Sequence, residues 1–295
     1  MFHKVLRAMV CVTGVLGLHS TASANEPVSS VLSGTLAEMT YVELETAARS
    51  GAIALWALGA IEEHGPHLPL GTDVYVPTAQ LRLAQRNLAT HKISSVIVPA
   101  YYWGVNNVTG AFPGSIHIRP EIMVELMTDV FRSLARAGFK EIYCITGHYD
   151  AAHGRALIEA VRRANQNNII KAHFVVPKPL GLRLGLREGE AGFPLIEPST
   201  GPAPAHPDLH AGEAETSAIL AITPDLVRKD VAAKLPSTDL TARDVAEWRK
   251  GQERARQITP QGYLGAPARA DASLGADRIE LDARRIADAI AASRR

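Results

Sequence analysis

Cysteine is almost missing from this chain: its 295 residues carry two, Cys11 and Cys144. That excludes a disulfide-stapled scaffold and a thiolate cage for a structural metal, both of which need clustered cysteines. A surplus of charge of one sign is missing too. Lys and Arg number 31 against 30 Asp and Glu, a formal charge of +1 without a long block of like charge. No nucleic-acid surface is expected from such a balance. Internal repeats, low-complexity linkers and any apolar run of the roughly 20 residues that span a bilayer are also absent. What remains is ordinary globular composition, 46% hydrophobic and 21% charged, which excludes disordered and collagen-like chains.

The first 24 residues differ from the rest. "MFHKVLR" is short and basic, "AMVCVTGVLGL" is short and apolar, and Ala22-Ser23-Ala24 fits a small-residue cleavage site. The expectation is a secretory signal peptide over residues 1–24. Its removal would send residues 25–295 to the periplasm as a single domain with no membrane attachment. Cys144, the one cysteine then left, sits in the apolar stretch "EIYCITGH" and reads as a core residue rather than a nucleophile.

Strand and helix patterns alternate along the chain. "TYVELETAARSG" has Thr40 and Glu43 in capping-box spacing and Gly51 past its end, so it reads as a short helix. "AIALWAL", "SSVIVPAYYWG", "KEIYCITGH" and "IIKAHFVVP" are continuous apolar runs, the pattern of strands covered on both faces. Between them "VPTAQLRLAQRNLAT", "RPEIMVELMTDVFRSLARAG" and "AAHGRALIEAVRRANQ" read as helices, the second with Pro120 at its start and Gly138 at its end. This alternation predicts βαβ units, hence an α/β fold with a mostly parallel sheet between helical layers. Residues 181–208 are rich in Gly and Pro, lack clear periodicity, and read as a functional loop, a lid or a disordered segment. "HAGEAETSAILAITP" begins a further helix, and "TARDVAEWRKGQERARQ" and "LDARRIADAIAASRR" complete the set, with "GYLGAPARADASLG" between these two.

Parallel sheets bind ligands at the carboxyl ends of their strands. Three polar clusters fall there. Glu62, Glu63, His64, His67 and Asp73 follow the first strand, and His148, Tyr149 and Asp150 end the third. His206, Asp208, His210, Glu213 and Glu215 lie in "HPDLHAGEAETS". Carboxylates and imidazoles without thiolate suit zinc, manganese or iron. Two ions about 3.5–4 Å apart, sharing one carboxylate, need about this many ligands. Asp73 is the expected shared group. His67 reads as a hydrogen-bonded part of the loop, His153 as part of a helix's first turn, and Trp56 and Trp103 as core or pocket wall.

"GAIEEHGPHLPLGTD" resembles the signature of the creatininase (creatinine amidohydrolase) family. "AFPGSIHI", "TGHYD", "HAGEAETS" and "GYLGAPARADASLG" are similar to the family's later motifs, in the same order, over most of residues 38–290. The resemblance implies a three-layer α/β/α sandwich, a pair of divalent ions and a homohexamer. It implies Glu62, His64, Asp73 and His148 as metal ligands, joined by either Asp150 or Glu215. His210 would be catalytic, with Glu215 as its orienting partner if Asp150 binds metal. Tyr149 would contact substrate, with Asn106 and Trp103 on the pocket wall. Four positions depart from the family's usual residues: Thr146 stands for asparagine, Glu63 for glutamine, and Asn106 and Thr109 for serine and histidine. The implied activity is hydrolysis of a C–N bond in a small amide, cyclic ones such as creatinine included. The alternatives are a peptidase or deformylase, or a protein that binds metal or ligand without turnover.

Overall fold

The computed structural model describes residues 32–197 and 207–294, so the leader sequence and His206 lie outside the described residues. The described residues fall in one compact unit, Val31–Arg295.

Helix α1 (Tyr41–Arg49) starts from the expected capping box, with Thr40 and Glu43 each bonding the other's backbone. It leads into β1 (Ile53–Leu58), α2 (Thr72–Thr90), β2 (Ser95–Tyr101), α3 (Pro120–Arg136), β3 (Glu141–Thr146), α4 (Ala151–Gln166) and β4 (Lys171–Phe174). The four strands form one parallel sheet in the order β2-β1-β3-β4. Alternate residues of each strand serve opposite faces. Ala54, Trp56 and Leu58 face a core shared with Met127 and Phe131 of α3 and Leu157 and Val161 of α4. Ile53, Leu55 and Ala57 face Leu81 and Leu88 of α2 and Ile286 and Ile290 of the last helix. Helices therefore cover both faces of a parallel sheet, the expected α/β/α sandwich. Cys144 is buried in the first of these cores, and burial pushes its thiol pKa far up.

The sequence reading needs correction at four boundaries. The fourth apolar run splits: after β4, β5 (Val176–Pro177) leaves the main sheet and pairs with β6 (Leu195–Ile196) across the short helix α5 (Lys178–Arg183). Part of the expected loop is thus ordered by its own small sheet. After α6 (Glu213–Ile222) and α7 (Lys229–Ala232), the single helix expected over 241–257 is two, α8 (Ala242–Trp248) and α9 (Gln252–Ile258). Gly251, at φ 80°, takes the left-handed turn that separates them. The last helix, α10 (Ala272–Ser293), begins nine residues before the expected Leu281. Asp271 caps it, and Gly275 does not break it but lets it lie against α6. A Cβ on Gly275 would come within 2.0 Å of the Ser217 carbonyl.

Helix α2 begins at Thr72 and carries Pro77 in its interior. Proline cannot donate to the carbonyl four residues back, which is that of Asp73. That carbonyl packs instead where β1 and β3 end. A Cβ on Gly59 would lie 2.2 Å from it, and one on Gly147 2.7 Å. The glycines directly after the two central strands therefore let the first turn of α2 sit across the strand ends.

His173 on β4 is 5% exposed, stacked on Tyr143 at 4.3 Å, with neither ring nitrogen hydrogen-bonded. Burial, with Lys171 adding and Glu141 opposing, lowers its pKa to about 4. The unfolded chain takes up this proton near pH 6.5 and the native chain only near pH 4, so native stability falls as pH drops through that window. Between pH 7.5 and 5 the native protein should lose about 2 kcal/mol through this group. Urea unfolding of His173→Phe, which keeps the stacking, should show that much less acid sensitivity than wild type. Equal losses in the two proteins would contradict the assignment.

Candidate metal centre

Three chain segments meet at the carboxyl ends of β1 and β3. The first is the loop from Gly59 into α2, which delivers Glu62, His64 and, in the first helical turn, Asp73. The second is the turn after β3, which delivers His148. The third is the approach to α6, where His210 precedes the helix and Glu215 lies in its first turn. Ala211, between them, holds φ 48°, and its N–H donates to Glu215 Oε2 at 2.5 Å. This turn folds Glu215 back toward His210.

Each oxygen of the Asp73 carboxylate faces a different imidazole. Oδ2 lies 2.8 Å from His148 Nδ1, and Oδ1 lies 3.2 Å from His64 Nε2. Glu62 Oε2 is also 2.8 Å from His148 Nδ1, and Glu215 Oε2 is 3.6 Å from His64 Nε2. Ligand atoms of Glu62, Asp73 and His148 converge within 4.8 Å of one another, as do those of His64, Asp73 and Glu215. Asp73 belongs to both groups. A third group, Glu62, His64 and His210, joins them.

The far side of each ring fixes which nitrogen is free. His148 Nε2 donates to the Val105 carbonyl at 3.0 Å, and His64 Nδ1 donates to the Glu62 carbonyl at 3.1 Å. A carbonyl can only accept, so His148 turns Nδ1 inward and His64 turns Nε2 inward. This is how metal-binding imidazoles are oriented. His64 Nε2 is fully buried yet makes no hydrogen bond. Its separations from Asp73 and Glu215 bracket the edge of about 3.4 Å expected between two donors on one tetrahedral ion at bonds near 2.1 Å. The residues present fit two divalent cations.

Electrostatics agree with that fit. Burial opposes protonation of His64, but Asp73, Glu215 and Glu62 outweigh it and raise its pKa to about 10. Burial likewise opposes His148, and Glu62 and Asp73 raise it well above the ordinary value. Burial opposes ionisation of Asp73, yet the two imidazoles hold its carboxyl well below the usual range. Glu215 is shifted upward by burial, with Asp73 adding and His64 and His210 opposing. Two buried carboxylates, Glu62 and Asp73, and the partly buried Glu215 thus demand positive charge at their centre. Cations bound there would take it over from the imidazolium protons.

Around this centre stand residues with other duties. His210 lies 4.4 Å from His64, ring to ring, and donates from Nε2 to the Glu63 carbonyl at 2.8 Å. Its pKa rises to about 9, burial opposing while Glu62 and Glu63 prevail. Glu63 Oε1 is 3.4 Å from the same nitrogen. Gly262 makes room for that carboxylate, since a Cβ there would lie 2.0 Å from Glu63 Oε2. Thr109 donates to Glu62 Oε1 at 2.6 Å and fixes its rotamer. His67 bonds Thr216 Oγ1 at 2.9 Å, and burial and His64 lower its pKa to about 4, so it is neutral loop structure. His153, the third residue of α4, accepts from the Val105 N–H and meets Thr146 Oγ1 at 3.2 Å.

Of the residues expected from sequence, Glu62, His64, Asp73, His148, His210 and Glu215 are brought together. Asp150, expected as a possible ligand, is elsewhere engaged. Its Oδ2 accepts from the N–H groups of Asn107 and Val108, both at 2.8 Å, and its Oδ1 caps α4 through Ala152 N–H at 2.7 Å. Asn106, expected on the pocket wall, is fully buried and donates to the carbonyls of Ile61 and Ile116. It braces two loops. Trp103 sits on the surface, 41% exposed beside Tyr102. Tyr149 is half exposed, and burial with the nearby Asp282, Glu215 and Asp73 carboxylates pushes its hydroxyl pKa up. Sequence reasoning missed the backbone carbonyls of Glu62, Glu63 and Val105, for which no side-chain pattern exists.

The family model described as "Creatininase: Creatinine amidohydrolase" matches residues 37–290. Among characterised proteins, the chain is 27% identical over 271 residues to the creatinine amidohydrolase of Pseudomonas putida, covering 86% of this chain and 94% of that one. It is 29% identical over 242 residues to the mycofactocin precursor peptide peptidase of Mycobacterium ulcerans (strain Agy99), covering 79% and 84%. A crystal structure of creatinine amidohydrolase (creatininase) superposes with a TM-score of 0.68 at 22% identity, covering 87% and 96%. A structure titled creatininase Mn gives 0.65 at 22% identity, covering 87% and 97%. With the same fold, and a match running nearly the whole described length, the chain belongs to the creatininase family of amide-bond hydrolases.

Proposed function

We propose that the chain is a metal-dependent amidohydrolase with two divalent ions, zinc or manganese in the first place and iron as a further option. The observation that carries this reading is the Asp73 carboxylate shared between two inward-facing imidazoles. Glu62, Asp73 and His148 would hold one ion, and His64, Asp73 and Glu215 the other. Glu215 rather than Asp150 completes the set, because both Asp150 oxygens already accept backbone N–H groups. Ions bound there supply Lewis acidity toward the amide carbonyl and acidify a water.

The chain's own residues do the rest. The Glu63 carbonyl holds His210 by Nε2, which leaves its other nitrogen to give a proton to the departing amine. Burial of Glu62, Asp73 and the three imidazoles limits screening of the site by bulk water. Tyr149, half exposed and next to His148 in the chain, would touch substrate. The scissile amide belongs to a small molecule, cyclic amides such as creatinine included, or to a peptide, since relatives bear names of both kinds. On the same reading the chain is secreted after loss of residues 1–24 and assembles as a homohexamer, as the family resemblance implies.

Metal-loaded protein should hydrolyse at least one member of a panel of cyclic amides, formamides and short peptides. His210→Gln should lower kcat by about 10²–10⁴-fold while leaving metal content unchanged. A loaded protein that cleaves nothing in the panel contradicts the reading.

Metal analysis separates the two carboxylates. Glu215→Gln should retain about one ion per chain after dialysis, where wild type retains about two. Asp150→Asn should retain both ions and lose roughly 2–4 kcal/mol of stability, because the amide nitrogen cannot accept from the backbone N–H groups that one Asp150 oxygen now serves. The reverse pattern would make Asp150 the ligand.

A further inference from the structure

His153 is fully buried and has no part in the chemistry described so far. It is the third residue of α4, whose start is set by the Asp150 cap. Both of its ring nitrogens are engaged. Nδ1 accepts from the Val105 N–H at 3.3 Å, so the proton of the neutral ring sits on Nε2, which donates to Thr146 Oγ1 at 3.2 Å. Burial, with His148 adding and Asp73 opposing, holds the His153 pKa well below its ordinary value.

Both partners lead to the same expected metal ligand. The Val105 carbonyl accepts from His148 Nε2 at 3.0 Å and so turns Nδ1 inward. The Thr146 hydroxyl accepts from the His148 N–H at 3.0 Å and donates to the His148 carbonyl at 3.2 Å. His153 therefore grips the residue whose carbonyl orients the His148 ring and the side chain that holds the His148 backbone. Its own ring stands edge-on to that of His148, with centroids 4.9 Å apart and planes at 77°. Gly104 leaves room for it, because a Cβ there would lie 3.0 Å from His153 Nδ1. Thr146 is shorter than the asparagine usual in the family, and the His153 ring continues its hydroxyl to Val105.

We propose that His153 is a positioning residue for the metal centre: it fixes Val105 and Thr146 so that His148 offers Nδ1 to the ion held with Glu62 and Asp73. This rests on the two-metal reading above and adds to it a residue that touches neither substrate nor ion. Without the ring, the buried Val105 N–H would lose its acceptor, and the carbonyl that orients His148 would lose its anchor.

The test reads zinc affinity of the full chain by competition with a chromophoric chelator, so it needs no substrate. Wild type should bind two ions. His153→Leu, close in volume but without hydrogen bonds, should weaken one ion by about 10–100-fold and the other by less than about threefold. His153→Gln, which can offer an oxygen to Val105 and an N–H to Thr146, should stay within about threefold of wild type at both. Nitrogen NMR of labelled wild type is the second measurement and depends on no variant: His153 should be neutral with its proton on Nε2. A proton on Nδ1 would leave Val105 without an acceptor and overturn the proposal. A wild type that takes up no zinc removes the two-metal reading and the proposal with it. Two ions in wild type, beside a leucine variant that binds both as tightly, overturn the proposal alone. So does equal weakening in the leucine and glutamine variants, which would make the effect one of packing.

Discussion

The site depends on one carboxylate being held between two imidazoles. Asp73 presents one oxygen to His64 and the other to His148. Its position follows from the first turn of α2 lying across the ends of β1 and β3. That close approach is possible because Gly59 and Gly147 have no Cβ and because Pro77 makes no demand on the Asp73 carbonyl. The polar centre is thus set by three residues with no polar side chain. A methyl group at Gly59 would intrude on the Asp73 backbone itself, which no side-chain rotation could relieve.

The remaining parts lock the geometry from outside. Carbonyls of Glu62 and Val105 choose the inward nitrogens of His64 and His148, and Thr109 fixes the Glu62 rotamer. His210 is held by the Glu63 carbonyl, and the Glu63 side chain in turn fits against Gly262. A site that must exchange protons for cations needs such fixed surroundings, because each buried carboxylate without a counter-charge is costly. The departures from the usual family residues at Glu63, Asn106 and Thr109 fall in this surrounding layer. Thr146 is of the same kind, bonding His148 N–H and meeting His153.

Much of this was legible in the sequence, for identifiable reasons. Apolar runs of strand length between helical periodicities gave the parallel sheet, and strand-end clusters of Glu, His and Asp gave the centre, because both are patterns of side-chain type. Asp150 was harder to place. A carboxylate two residues after His148 reads the same whether it binds a metal or caps α4, and no sequence pattern shows that Asn107, Val108 and Ala152 bring N–H groups to it. Glycines were ambiguous in the same way. Gly251 breaks a helix, while Gly275 sits inside one because Ser217 needs the space. The backbone acceptors behind the imidazoles were invisible, since every residue carries a carbonyl.

The central claim is that Asp73 is shared by two cations. Anomalous diffraction from crystals of the full chain grown with zinc or manganese tests it most directly. The account predicts two anomalous peaks about 3.5–4 Å apart, one on each side of the Asp73 carboxylate. One should lie beside Glu62 and His148 and the other beside His64 and Glu215. A single peak, or two peaks of which one lies at Asp150 with Glu215 unliganded, would contradict it.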